Sequence, residues 1–287
     1  MNQSLKSLFI TLYPVLCVLG LYLSWDQFVH QYIWAGLGLL LISMTMLGFL
    51  AKLFLTFTPR TTKDLTRYTI QVGVGILLLS YALLTGQGEK IGAFGFVLAI
   101  GWLLYIRWYS TFNKRDSTLL RKGQRLPRLL FENEDGSVVD SESFKGYKSI
   151  LIFYRGNWCP LCMAQIKEIA NTYKTLKAKG IETILISPQP HSQTRKLAKK
   201  HNVDFRFLVD KDNAVATQLE IAVKNGLPTG MQLLGYDSDT VLPTVILINE
   251  HSVIIHSDIT ENYRVRPEPD DLMTYFSDEY TAYVGSG

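Results

Sequence analysis

Phe153-Tyr-Arg-Gly-Asn-Trp-Cys159-Pro-Leu-Cys162 is the stretch that decides how this chain folds. It follows a short apolar run, Ser149–Phe153, and opens an amphipathic run that extends to about Lys179. A strand, a turn that carries Cys-x-x-Cys, and a helix form the order typical of thiol–disulfide chemistry. The spacing predicts that Cys159 is the N-cap of the helix and that Pro160 is its first residue.

The two cysteines of this motif are expected to form a redox pair. Free backbone N–H groups and the positive end of the helix dipole favour a thiolate at Cys159. Cys162 lies one turn further along the same helix face, close enough to resolve a bond formed at Cys159. Arg155 would add a positive charge near the sulfur, and Trp158 would add a flat apolar wall.

A zinc site and a pair of inert buried thiols are the alternatives to redox chemistry. Tetrahedral zinc needs two ligands more than one Cys-x-x-Cys supplies. The third cysteine, Cys17, is far away in an apolar segment, where packing is its ordinary role. The five histidines show no ligand spacing: His30, His191, His201, His251 and His256. We therefore favour redox chemistry and expect no metal or other cofactor.

The charges are distributed unevenly along the 287 residues. Residues 1–112 contain 7 Lys and Arg and 3 Asp and Glu, whereas residues 113–287 contain 22 of each class. The formal net charge of +4 therefore belongs to the first part alone. Because the second part is balanced, the sequence gives no sign of nucleic-acid binding.

The first part contains four long uncharged stretches. Three of them reach the ~20 residues that a bilayer-spanning helix needs, and aromatic residues follow the shorter fourth. They are Ser7–Trp25, Gln27–Ala51, Tyr68–Gly88 and Ile91–Ile106. We therefore predict an all-α transmembrane domain of four helices at residues 1–112, with the lipid bilayer as its partner.

The basic residues predict how these helices are oriented. With four spans, twelve basic residues fall on one side: Lys6, Lys52, Arg60, Lys63, Arg67, Arg107, Lys114, Arg115, Arg121, Lys122, Arg125 and Arg128. The opposite side has only Lys90. The positive-inside rule then places both termini in the cytoplasm, in a multi-pass protein of the cell (inner) membrane. Residues 113–124 are interpreted as a basic juxtamembrane linker.

Residues 125–287 are predicted to form an α/β domain. Strands are expected at Ser149–Phe153, Ile181–Ser187, Phe205–Val209, Val245–Asn249 and Val253–His256, after a hairpin at Leu126–Val139. Helices are expected at Pro160–Lys179, Ser192–His201, Asn213–Glu220 and Asp270–Tyr283. Strands that alternate with helices and then form a hairpin favour a mixed sheet flanked by helices.

This second part resembles the peroxiredoxin-like redoxins, the alkyl hydroperoxide reductase/thiol-specific antioxidant superfamily of thioredoxin fold. The similar pieces are Glu134–Val139, Phe144–Gly146, Phe153–Cys162, Ile186–Ser187, Phe207–Asp210, Leu242–Thr244 and Tyr263–Pro269. The resemblance implies that Cys159 is the attacking thiol and Cys162 its resolver. It also implies that Pro243 is a cis-proline facing them.

The sequence departs from the peroxiredoxin pattern at three positions. Ile152 and Gly156 stand where peroxiredoxins have a Pro and a Thr, and Leu242-Pro243 stands where they have an arginine. Two enzyme activities therefore stay open, reduction of peroxides and reduction of protein disulfides, each with a thiol reductant. The alternative is a redox sensor without turnover, in which the disulfide state of the pair changes the membrane helices.

Overall fold

The computed structural model describes residues 3–56, 64–87, 89–112, 118–201 and 203–276. The chain divides into two compact units, and each is described by itself. One comprises Asn2–Phe57 and Thr62–Phe112, and the other consists mainly of Asn113–Gly287. Residues 113–117 of the expected linker lie outside the described residues.

The first unit is built from four apolar helices, as the sequence predicts. They are α1 (Gln3–Val29), α2 (Ile33–Thr56), α3 (Thr66–Leu84) and α4 (Glu89–Leu104), and α4 continues as a π-helical turn at Tyr105–Tyr109. By length and composition, each is capable of crossing a membrane.

Close helix contact in this unit depends on small residues. The backbones of α2 and α3 meet at Gly38 and Gly75, because a Cβ atom on Gly38 would lie 2.8 Å from the Gly75 carbonyl oxygen. Two polar side chains make hydrogen bonds from one helix to another. The Tyr13 hydroxyl donates to the Leu98 carbonyl at 2.9 Å, and Gln71 donates to the Leu41 carbonyl at 3.2 Å. Such contacts hold helices together in an apolar solvent.

The second unit contains nine strands and five helices within the residues that the structure describes. The strands are β1 (Leu130–Asn133), β2 (Val138–Asp140), β3 (Lys148–Phe153), β4 (Ile181–Ser187), β5 (Arg206–Val209), β6 (Ala222–Val223), β7 (Thr240–Val241), β8 (Thr244–Ile248) and β9 (Ile254–Asp258). The helices are α5 (Pro160–Asn171), α6 (Tyr173–Ala178), α7 (His191–His201), α8 (Ala214–Gln218) and α9 (Pro269–Thr274).

Seven strands form one mixed sheet, in the order β2-β1-β5-β4-β3-β8-β9. Strands β3, β4 and β5 are parallel, whereas β8 is antiparallel to β3 and β9 is antiparallel to β8. The short strands β6 and β7 pair separately. The β3-α5-β4 unit followed by the β8–β9 hairpin and α9 is the arrangement of the thioredoxin fold. The predicted fold class is confirmed.

Strand β3 lies inside this sheet, between β4 and β8, and its residues 149–153 are all buried. Its alternate side chains Leu151 and Phe153 belong to a core cluster with Ile184, Ile186 and Ile246 of the neighbouring strands. A continuous apolar run is expected for a strand that is covered on both faces. This core holds in place the C-terminal end of β3, where the loop that carries Cys159 begins.

Two predicted helices differ from the structure. The single helix expected at Pro160–Lys179 is interrupted at Thr172, whose hydroxyl donates to the Ile169 carbonyl at 2.9 Å. This local hydrogen bond competes with the regular helical pattern. The closing helix expected at Asp270–Tyr283 is present as α9, but residues 277–283 lie outside the described residues.

Candidate active site

Cys159 lies where the 154–159 loop joins β3 to α5. Pro160 follows as the first helical residue, and the Met163 N–H donates to the Cys159 carbonyl at 3.0 Å. The Cys162 N–H donates to the Cys159 sulfur at 3.4 Å. Cys159 is therefore the N-cap of α5, as predicted. Its sulfur receives one of the backbone N–H groups that the first helical turn leaves without a carbonyl partner.

The sulfur atoms of Cys159 and Cys162 are 2.7 Å apart, and both residues are free thiols. A disulfide bond has a length of about 2.03–2.05 Å, so the structure shows the reduced pair. Cys159 is 3% exposed and Cys162 is 1% exposed. At this separation one thiol donates a hydrogen bond to the other, and the two sulfurs titrate as a pair.

The surroundings of the reduced pair lower the pKa of Cys162 and raise the pKa of Cys159. Burial opposes a negative charge on Cys162, but the hydrogen bond with Cys159 and the charges of Arg266 and Arg155 outweigh burial and lower the pKa of Cys162 to about 6. Burial and the same hydrogen bond raise the pKa of Cys159 well above its ordinary value. In the reduced pair the hydrogen bond between the sulfurs therefore favours the charge on Cys162, and the thiolate expected at Cys159 stays a prediction.

Arg155 and Trp158, both candidates from the sequence, lie together beside the cysteines. The Arg155 guanidinium carbon is 4.5 Å from the centre of the Trp158 ring, a cation–π geometry. Arg155 also donates to the Gly226 carbonyl at 2.7 Å. Both side chains are half-buried. They therefore form a fixed wall next to Cys159.

Gly156 allows Trp158 to occupy this position. Its φ of 140° lies in the region that favours glycine, and a Cβ atom would come within 2.8 Å of Trp158 Nε1. The position where peroxiredoxins have a threonine is therefore filled by an aromatic ring. No side chain fits there.

Arg266 is a site residue to which the sequence analysis gave no role. It is 3% exposed, and its positive charge lowers the pKa of both Cys159 and Cys162. It belongs to the buried segment that includes Asn262, Tyr263 and Arg264. The Tyr263–Pro269 stretch contributed to the family resemblance. Nothing in its local pattern, however, indicates that an arginine is buried there.

A buried polar network behind Cys162 was also missed. Gln189 donates to the Tyr154 hydroxyl at 3.0 Å and to the Thr194 hydroxyl at 3.2 Å, and its Oε1 accepts from the Asn157 N–H at 2.9 Å. The Cys162 charge acts on Tyr154, whose pKa is raised chiefly by burial. The network fixes the 154–159 loop to α7. It joins residues more than 30 positions apart, so no local sequence signal exists for it.

Pro243 lies at the same end of the sheet as the 154–159 loop. It precedes β8, whose Thr244 pairs with Phe153, the last residue of β3. The described residues contain no cis peptide bond. The cis conformation implied by the resemblance is therefore wrong, and Pro243 has the trans bond, which is the lower-energy form of an X–Pro peptide.

Among the residues that the structure describes, no group of three or more His, Cys, Asp or Glu side chains is placed to hold a metal ion.

The sequence matches known proteins over its second unit. Residues 121–272 match the sequence model of the family described as Redoxin. The chain is 22% identical to the thiol-disulfide oxidoreductase ResA of Bacillus subtilis over 160 residues, which are 55% of this chain and 76% of that protein. It is 29% identical to a putative peroxiredoxin bcp of Coxiella burnetii over 133 residues, which are 46% of this chain and 83% of that protein.

Among solved structures, AhpC of Enterococcus faecalis aligns with a TM-score of 0.47 at 15% sequence identity. The alignment covers 58% of this chain and 97% of that protein.

Proposed function

This chain belongs to the Redoxin family and is a thiol-dependent oxidoreductase, and from that premise we propose that it is a membrane-tethered peroxidase with Cys159 and Cys162 as its redox pair. The observation that carries the proposal is the burial of both sulfurs, at 3% and 1% exposure. A small peroxide reaches a buried sulfur more easily than a protein disulfide does. Arg155 and Arg266 supply the positive charge that the missing peroxidatic arginine would otherwise provide.

The first step oxidises Cys159. The Cys159 proton moves across the 2.7 Å contact to the Cys162 thiolate, which leaves a thiolate at Cys159. This thiolate attacks the terminal oxygen of a hydroperoxide, so a sulfur–oxygen bond forms and the O–O bond breaks. The products are a sulfenic acid at Cys159 and an alkoxide that takes a proton from water. The Arg266 and Arg155 charges stabilise the negative charge during the transfer.

The second step forms the disulfide. Cys162 loses its proton to solvent and attacks the Cys159 sulfur, and hydroxide leaves as water. The position of Cys162 within contact of Cys159 favours this resolving role. A thiol reductant then supplies two electrons and two protons, which restore the dithiol and leave the reductant as a disulfide. No further cofactor takes part in this cycle.

Reduction of protein disulfides is the second candidate, because relatives of the chain are named thiol-disulfide oxidoreductases. A protein disulfide would reach Cys159 only if the Arg155–Trp158 wall opened. A redox sensor is the third candidate, and it would react once without turnover.

The deciding experiment compares substrates on the purified full-length chain in detergent. We expect catalytic consumption of dithiothreitol with hydrogen peroxide or cumene hydroperoxide, and at least about tenfold slower reduction of insulin disulfides, because the site is closed. The Cys159→Ser variant is the control and should be inactive. Faster reduction of insulin than of peroxide would favour the second candidate, and oxidation without turnover would favour the sensor.

The membrane association belongs to the same proposal. The four apolar helices support a transmembrane domain at residues 1–112, followed by a juxtamembrane linker at 113–124 and a redoxin domain at 125–287. With both termini in the cytoplasm, the pair faces a reducing compartment, which suits a peroxidase that is regenerated by thiols.

A further inference from the structure

The loop of residues 224–240 joins β6 to β7 and ends on the first residue of β7, and it is attached to the active site at three points. The Gly226 carbonyl accepts a hydrogen bond from Arg155 at 2.7 Å, and the Thr240 hydroxyl donates to the Arg155 carbonyl at 3.3 Å. The Tyr236 ring lies against the cysteine loop, because a Cβ atom on Gly156 would be 3.4 Å from its Cε1. The 224–240 loop is therefore part of the rim of the redox site.

This loop presents two leucines to solvent. Leu233 is 91% exposed and Leu234 is 62% exposed, on a 3₁₀ turn at Met231–Leu234 that has no buried residue. Left-handed glycines bound the turn on both sides, with φ of 97° at Gly230 and 83° at Gly235. A single exposed leucine is ordinary on a protein surface, but an adjacent pair held on one tight turn beside a reactive site indicates a contact surface.

The turn is also close to the cysteine loop. Leu234 is two residues from Tyr236, so their Cα atoms are separated by at most about 7 Å. Because Tyr236 contacts the cysteine loop at Gly156, the leucines lie within reach of any protein that approaches Cys159.

We propose that Leu233 and Leu234 are the docking contact for the protein dithiol that reduces the oxidised Cys159–Cys162 pair. This proposal rests on the proposed function, because each peroxide reduced leaves a disulfide that must receive two electrons. A thiolate of the partner attacks the Cys159 sulfur, which forms a mixed disulfide and releases the Cys162 thiolate. The second thiol of the partner then displaces Cys159, which leaves the partner oxidised and the pair reduced.

The chemistry of the rim favours a protein with an apolar surface around its dithiol. Both sulfurs are buried, so a partner thiol reaches Cys159 only when the Arg155–Trp158 wall opens, and a partner seated on the loop that holds Arg155 through Gly226 is placed to open it. A lipid surface is the other conceivable occupant. The loop, however, carries Lys224 against Asp237 and Asp239, so it lacks the positive charge that attracts anionic lipid headgroups.

The test measures reduction of the oxidised full-length chain in detergent by two reductants, thioredoxin as a protein dithiol and dithiothreitol as a small one. The pair is first oxidised with diamide, so a chain that does not react with peroxide still enters the test. The variant is Leu233→Ser with Leu234→Ser. The matched control is Leu130→Ser with Val138→Ser, two exposed apolar residues at 56% and 70% exposure on the β1–β2 hairpin, three strands away from β3.

We expect the Leu233/Leu234 variant to lose about 30-fold in the rate constant for reduction by thioredoxin, in line with two lost apolar contacts. The rate constant for reduction of this variant by dithiothreitol should change by less than about twofold. Both rate constants of the control variant should also change by less than about twofold. An unchanged thioredoxin rate would overturn the proposal. So would an equal loss with both reductants, or a wild-type chain that dithiothreitol reduces and thioredoxin does not. Absence of peroxide turnover in the wild type would instead contradict the proposed function.

Discussion

At the residue scale, two sulfurs and two arginines determine the reactivity of the site. Only one proton is easily lost from the pair, because a second negative charge at 2.7 Å from the first is strongly unfavourable. The guanidinium groups of Arg155 and Arg266 stabilise the charge that is present. The pH dependence of the reaction therefore belongs to the pair and not to either cysteine alone.

Alkylation of the two cysteines should show this coupling. In the wild type we expect the rate to rise with pH through a midpoint of about 6, the lowered pKa at Cys162, instead of the ~8.5 of a free cysteine. Cys159→Ser should move the midpoint of Cys162 upward, because Cys162 loses the hydrogen bond that lowers its pKa. Cys162→Ser should move the midpoint of Cys159 downward, because the same hydrogen bond raises the pKa of Cys159. The measurement is the rate of iodoacetamide labelling between pH 5 and 10.

The same variants test the roles of the two cysteines. Cys162→Ser should accumulate a sulfenic acid at Cys159 after peroxide addition, which a dimedone probe detects by mass spectrometry. Cys159→Ser should not turn over and should leave Cys162 slow to alkylate. If Cys162 in the Cys159→Ser variant is labelled faster at pH 7 than Cys159 in the Cys162→Ser variant, the two roles are reversed.

Arg266 should lower the pKa of the pair through its charge. Arg266→Met removes the charge and should raise the alkylation midpoint by about one pH unit, as expected for a nearby charge. Arg266→Lys keeps the charge and should shift the midpoint less. Far-UV circular dichroism checks that both variants are folded. Equal midpoints in the wild type and a folded Met variant would show that Arg266 does not act on the sulfurs.

At the scale of elements, the 154–159 loop depends on one glycine. Gly156→Ala combines backbone strain, at about 1–3 kcal/mol, with a clash against Trp158, so we expect unfolding free energy to fall by about 3 kcal/mol. Gly180→Ala is the control, because it also has a positive φ of 67° but open space around it. The unfolding free energy of Gly180→Ala should fall by only about 1 kcal/mol.

Urea unfolding of both glycine variants, followed by circular dichroism, measures this difference. Peroxide turnover should fall in Gly156→Ala, since Trp158 and Arg155 must move, and should be retained in Gly180→Ala. Equal destabilisation in the two variants would mean that the Trp158 contact is unimportant.

At the scale of the whole molecule, the charge asymmetry predicts the membrane topology. A green fluorescent protein fused after Gly287 should fluoresce, and alkaline phosphatase fused there should be inactive, because the twelve basic residues on that side predict a cytoplasmic location for it. Fusions after Gln87, between the third and fourth spans, are the control and should give the reverse pattern. Phosphatase activity at Gly287 would overturn the orientation. An oxidase or isomerase role would then become more plausible than a peroxidase.

The sequence by itself determined the elements of this protein. The apolar run at Ser149–Phe153 and the turn residues around Cys159 and Pro160 predict the strand, the N-cap and the helix start, because these depend on local periodicity and capping. The long uncharged stretches predict the four apolar helices for the same reason. Gly180 marks a helix end that the structure confirms, with a left-handed φ of 67°.

Only the tertiary structure decided which residues surround the sulfurs and which sulfur has the lowered pKa. Arg266 and Gln189 reach the site from segments 107 and 30 positions after Cys159 in the chain, and their burial depends on how the sheet packs. The lowered pKa of Cys162 follows from the hydrogen bond with Cys159 and from the charges of Arg266 and Arg155, and neither is encoded in the spacing of the motif. Local patterns fix the backbone near a residue, but electric fields at a buried site are summed over neighbours that only the fold brings together.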